Sequence, residues 1–151
     1  MQLKSNKILP LVGYGDLNFG QTVEELTSVL GEAEEIDHLD TDDQMNTIIL
    51  HFWEEGLSVF FEGVSKTVIS CFETDNPEAT LFDKKVFELK KAEVIDLMKE
   101  NGYSELEVEE EEGEIRVTFE DGLIDFFYDD ELLLAVNWGV IIDENGDIEY
   151  D

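Results

Sequence analysis

Apolar and polar positions follow the same order in two separate stretches. Phe52-Trp53-Glu54-Glu55-Gly56-Leu57-Ser58-Val59-Phe60-Phe61 and Thr118-Phe119-Glu120-Asp121-Gly122-Leu123-Ile124-Asp125-Phe126-Phe127 each run from an aromatic through two acids and Gly-Leu to Phe-Phe. The acid-acid-Gly step predicts a tight turn, because glycine enters positive φ without a steric cost. Aromatic and β-branched residues on both sides make each copy a β-hairpin. Further strands are expected over 67–72 and 132–138, and a last hairpin over 140–150 around Asn145-Gly146.

The period changes upstream of each hairpin. Residues 22–30 read as a helix: Thr22 and Glu25 form a capping box, Val23, Leu26, Val29 and Leu30 share one face, and Gly31 closes it. Residues 90–101 read the same way, with Ala92, Val94, Ile95, Leu97 and Met98 on the buried side and Gly102 at the end. Each helix is followed by a stretch rich in acids. The first holds Glu32, Glu34, Glu35, Asp37, Asp40, Asp42 and Asp43; the second holds Glu105, Glu107, Glu109, Glu110, Glu111, Glu112 and Glu114. Both are expected to be loops. The fold class that follows is α+β: two αβββ repeats, with helices packed on one face of an antiparallel sheet. Gly56 and Gly122 set a period of 66 residues. The boundaries are 1–73 for the lead-in and first repeat, 74–88 for a connector, and 89–151 for the second repeat with its hairpin.

Charge changes this picture most. The chain of 151 residues has 39 acids against 9 Lys and Arg, a formal net charge of −30. Such a field repels nucleic acid and anionic membranes and attracts basic proteins. Solubility alone is the competing explanation. Lys84, Lys85, Lys90, Lys91 and Lys99 gather over half of the positive charge on what reads as a solvated helix face. Cys71 is the single cysteine, so an internal disulfide is ruled out, and its apolar neighbours predict a buried thiol. The apolar run at 8–12 is too short for a signal-peptide core, so a cytoplasmic protein is expected.

The residues Asn18-Phe19-Gly20-Gln21-Thr22-Val23-Glu24-Glu25-Leu26, then Val29-Leu30-Gly31-Glu32 and Gly56-Leu57 with Val59 and Phe61, resemble the opening of BamE (SmpA/OmlA)-like domains. Tandem copies of that unit resemble β-lactamase inhibitor protein. The second repeat departs from the pattern, since Lys90-Lys91-Ala92-Glu93 lacks the Gly-x-Thr entry. The resemblance implies a sheet and loops that grip another protein. By analogy it also suggests an immunity protein against a basic toxin or nuclease.

Candidate chemistry is sparse. With 39 acids, neighbouring carboxylates do not single out an acid–base pair. The Asp143–Glu149 segment places Gly146 wrongly for a calcium loop and fits a hairpin. Gly13-Tyr14-Gly15 lacks the Lys-Ser/Thr of a phosphate loop. His51 on a strand reads as a packing residue, and the chain offers no Cys/His cluster for zinc. No catalytic residue, metal ligand or cofactor is expected. The expected partner-binding residues are Asp40, Asp42, Asp43, Trp53, Phe60, Glu109, Glu110, Glu111, Glu112, Phe126, Tyr128 and Trp138: the acidic loops together with strand aromatics on an uncovered sheet face. The reading is a non-enzymatic module that captures or inhibits a basic protein. The alternative is a housekeeping domain whose acidity serves solubility.

Overall fold

A computed structural model describes residues 5–40, 46–63, 67–143 and 147–149. Three short strands lead in: β1 (Lys7–Leu9), β2 (Gly13–Tyr14) and β3 (Leu17–Asn18). Helix α1 (Val23–Leu30) follows, then a meander of β4 (Glu35–Asp40), β5 (Asn46–Phe52), β6 (Leu57–Gly63) and β7 (Val68–Thr74). The connector supplies β8 (Thr80–Leu81) and β9 (Lys84–Lys85) before helix α2 (Lys91–Glu100). A second meander contains β10 (Leu106–Glu111), β11 (Glu114–Phe119), β12 (Ile124–Asp129) and β13 (Leu132–Gly139). Strands β14 (Ile141–Ile142) and β15 (Ile148–Glu149) pair as a terminal hairpin; the predicted Asn145-Gly146 turn lies outside the described residues.

Both meanders join in one antiparallel sheet of eight strands, in the order β10-β11-β12-β13-β7-β6-β5-β4. The seam is β13 against β7, with Trp138 opposite Phe72. The lead-in and connector form a separate five-stranded sheet, β3-β2-β1-β8-β9, in which β1 and β8 run parallel. This small sheet sits over the seam. Tyr14 packs edge-on against Trp138 at 5.5 Å, and the Trp138 indole N–H donates to the Gly13 carbonyl at 3.0 Å. Leu26 of α1 and Val94 and Met98 of α2 enter the same core.

The α+β expectation of two αβββ repeats, BLIP-like with helices covering the sheet, is therefore corrected. The chain is mostly β, two sheets of five and eight strands pack together, and the two α-helices among the described residues span only 8 and 10 residues. The acidic stretches are the reason. What read as loops are the edge strands β4 and β10, so each meander has four strands rather than three. Glu112 and Gly113, at φ 51° and 89°, turn β10 directly into β11, a two-residue hairpin loop with both residues in the left-handed region. Backbone pairing along β10 outweighs the low strand propensity of its glutamates.

The period is corrected by one residue. Strand register matches Phe52 with Phe119 and Leu57 with Ile124, a spacing of 67. Gly56 (φ 61°) therefore corresponds to Leu123 (φ 50°), not to Gly122, which is not among the positive-φ glycines.

Candidate functional site

Helices and small sheet share a core with one face of the large sheet; the other face is open. Alternation along the strands decides which residue faces which way. Leu57, Val59 and Phe61 of β6 are buried inward, so Ser58, Phe60 and Glu62 face outward. On β12, Ile124, Phe126 and Tyr128 point inward and leave Asp125 and Phe127 outside.

The register aligns one polar residue from every strand across this open face. The row reads Glu107, Thr118, Asp125, Asn137, Glu73, Ser58, His51, Glu35. Eight strands at about 4.8 Å spacing make a surface roughly 34 Å wide and 20 Å long. Its area, about 700 Å², is near the ~800 Å² that one partner gives to a standard interface.

Neighbours in the row are tied by side-chain bonds. Thr118 Oγ1 donates to Asp125 Oδ1 at 2.5 Å, and Asn137 Nδ2 donates to Glu73 Oε1 at 3.4 Å. The Cys71 thiol donates to Asn137 Oδ1 at 3.2 Å. Burial, with help from the charges of Glu73 and Glu62, pushes that thiol up to about 12, so it stays protonated. Among the described residues Glu62, Glu73 and Asp125 have no cationic partner; Lys and Arg pair with acids at Glu78–Lys85, Glu131–Lys91 and Glu109–Arg116, and His51 contacts Asp37. At the β10 margin, a hydrogen bond that the Glu120 carboxyl donates to Glu107, and then the Glu107 charge, hold Glu120 above its ordinary range.

Each end of the face has a distinct corner. Beside β10 lies a cleft of about 410 Å³ lined by Glu109, Glu111, Arg116, Phe127 and Leu134. There the Arg116 guanidinium reaches Glu109 at 2.8 Å. Beside β4, His51 Nδ1 lies 2.7 Å from Ser58 Oγ, and its Nε2 lies 2.8 Å from Asp37 Oδ2. Trp53 stacks on the imidazole at 4.4 Å and 12°. Ser, His and Asp thus meet, but in the inverse order of a hydrolytic triad. Ser58 is only 7% exposed, whereas the Asp37 side chain is 49% exposed. A triad needs a reachable hydroxyl and a sheltered carboxylate.

The predicted site residues separate into groups. Trp53, at 55% exposure, and half-buried Phe60 lie on the open side, as do Glu109 and Glu111. Glu110 alternates to the opposite side of β10, and Glu112 is in the turn. Phe126, Tyr128 and Trp138 are corrected: all three are core residues, at most 1% exposed, and cannot anchor a partner. Asp40 ends β4, while Asp42 and Asp43 lie outside the described residues. Sequence reasoning missed Phe127, Glu73, Asp125, Asn137 and the meeting of Asp37, His51 and Ser58. Strand parity signalled Phe127, because it alternates with the buried Phe126 and Tyr128 and shares a side with Asp125.

No family model and no curated protein matches the chain. Among solved structures it is similar to an extracellular protein containing a SCP domain from Bacillus anthracis str. Ames, at 12% identity and a TM-score of 0.47, over 92% of this chain and 47% of that one.

Proposed function

We propose that the open sheet face is a docking surface for a basic protein and that the chain acts by binding rather than by catalysis. The observation that carries this reading is the placement of Glu73, Asp125 and Glu62 on inner strands of the face, half-buried and without cationic partners among the described residues. Acids on edge strands have another use: they prevent edge-to-edge pairing, and β4 and β10 expose Ile36, Leu39 and Val108 that need such protection. That observation favours the second reading, acidity for solubility, but it accounts only for the edges. Carboxylates on inner strands guard no edge. Lys and Arg from a partner would neutralise them, while Phe60, Phe127 and Trp53 supply apolar contact.

The test is capture from the source cell's lysate at low and high salt, with three baits. A basic partner retained at equal stoichiometry through moderate salt supports the proposal. A Glu73→Gln/Asp125→Asn double variant then loses about tenfold or more in affinity and has a shallower salt dependence. A Glu110→Gln/Glu112→Gln variant, altered off this face, stays within about twofold. Equal loss in both variants would make the charge generic and sink the reading. If the captured protein is a toxin or nuclease, the chain is an immunity protein. A cytoplasmic setting is part of the proposal, and fractionation of the source cell checks it; among the described residues no helix is long and apolar enough to cross a membrane.

A further inference from the structure

The corner at β4 points to a ligand of another class. We infer that Glu35, Asp37 and His51 form a binding site for a divalent transition-metal ion of the zinc type. Glu35 and Asp37 are two residues apart on β4 and so share its open side, and Glu35 is directly opposite His51 in the register. One ligand atom from each lies within 4.8 Å of the others. These are an imidazole nitrogen and two carboxylate oxygens, a donor set that zinc accepts with a fourth position left open.

The imidazole is held from behind by groups outside this set. The buried Ser58 hydroxyl contacts Nδ1 at 2.7 Å, and Trp53 covers one ring face. Nε2 is thereby aimed at the carboxylates. A metal-binding histidine has this arrangement: one nitrogen on the metal, the other fixed by a hydrogen bond that sets the tautomer and ring orientation. It also accounts for the order that a hydrolytic triad cannot use, with the hydroxyl buried and the carboxylates at the rim. Ligands of a tetrahedral zinc at about 2.0–2.1 Å stand roughly 3.4 Å apart. The 2.8 Å contact of His51 with Asp37 must therefore open by about half an ångström. Asp37 can make that movement, since its side chain is half exposed on an edge strand. A nitrogen donor disfavours magnesium and calcium, which take oxygen ligands.

The site lies at the β4 end of the same open face, but zinc titration needs no partner, so the two proposals fail separately. The experiment is titration of the full chain with zinc ion by calorimetry in a large excess of magnesium, which occupies generic carboxylates. Cobalt is then substituted and followed by its visible absorption, and Trp53 emission is recorded. The expected result is one zinc per chain that survives the magnesium. It weakens at least tenfold in His51→Gln and in Glu35→Gln/Asp37→Asn, and about tenfold in Ser58→Ala. Cobalt should give a tetrahedral spectrum that His51→Gln removes. The Glu35→Gln/Asp37→Asn variant changes only edge-strand side chains, so it keeps the test open if His51→Gln misfolds; circular dichroism checks both. Zinc binding unchanged in the folded variants, or abolished by magnesium, would overturn the assignment.

Discussion

The corner at His51 and the corner at Thr118 occupy equivalent places in the two meanders, yet they carry different chemistry. In each, the second and third strands contribute a facing pair joined by a short hydrogen bond: His51 with Ser58 at 2.7 Å, Thr118 with Asp125 at 2.5 Å. In each, the edge strand places a glutamate next to the pair, Glu35 on one side and Glu107 on the other. One corner thereby gathers an imidazole and two carboxylates. The other adds a carboxylate to the face and, one row further along β11, the Arg116–Glu109 pair beside Phe127. The strand layout is shared, while the outward residues at matched positions differ in chemistry.

The largest test of this comparison is at the seam that unites the halves. Trp138→Ala removes a buried indole and leaves the Gly13 carbonyl without its donor, and should destabilise by about 3–5 kcal/mol in denaturant unfolding. Trp53→Ala, on the open side, should cost less than about 1 kcal/mol. Equal losses would mean that Trp53 is structural and not a surface residue.

Next come the matched turns. Gly56→Ala forces φ 61° on a residue with a Cβ and brings that atom to 3.1 Å from the Asn76 backbone nitrogen. It should cost about 2 kcal/mol. Gly122→Ala meets side chains alone, the Tyr103 ring at 3.0 Å and Ile124 Cγ2 at 3.3 Å, and has no positive φ, so about 1 kcal/mol or less is expected. The reverse ranking would restore the 66-residue alignment. Double-mutant cycles then compare the two facing pairs. Thr118–Asp125, a bond to a carboxylate, should couple by about 1.5 kcal/mol, and His51–Ser58 by about 1 kcal/mol.

The smallest effect at neutral pH belongs to Cys71, at the centre of the face. Its thiol titrates at about 12 instead of the ordinary 9.0, so a thiol reagent at neutral pH should label the folded chain very slowly and the unfolded chain readily. The raised value means that folding favours the protonated thiol. That contribution is complete below pH 9 and drains away as pH rises toward 12, and Tyr14, raised from 10.0 to about 12 by burial, acts in the same direction. Stability measured from pH 8 to 11 should therefore decline; a flat profile would contradict the burial of both groups.

Local signals had local outcomes. The Thr22–Glu25 capping box is formed, with the Glu25 amide donating to Thr22 Oγ1 at 3.3 Å, and α1 begins at the next residue. Hairpins are present at 52–61 and 118–127, but only the first turns on a positive-φ glycine, Gly56; in the second, Leu123 takes that place. By composition alone the acidic stretches resemble loops. Leu106 and Val108 alternate with glutamates before Glu112-Gly113, which is a strand and turn signal in period two. Asp37 was hidden for the same reason: once its stretch reads as a loop, nothing places it beside His51.

The sequence by itself determined the hairpins, the two helices and the excess of negative charge, because these depend on neighbours a few residues apart. Only the tertiary structure decided which aromatics are buried. Phe126, Tyr128 and Trp138 have the same strand-like surroundings as Phe60 and Phe127, but the small sheet and the helices cover one side of each strand, and parity then sends every second residue to the core. Register likewise brought together Glu35, Asp37, His51 and Ser58 from three strands. A facing pair is fixed by backbone pairing between strands, and no spacing along the chain reports it.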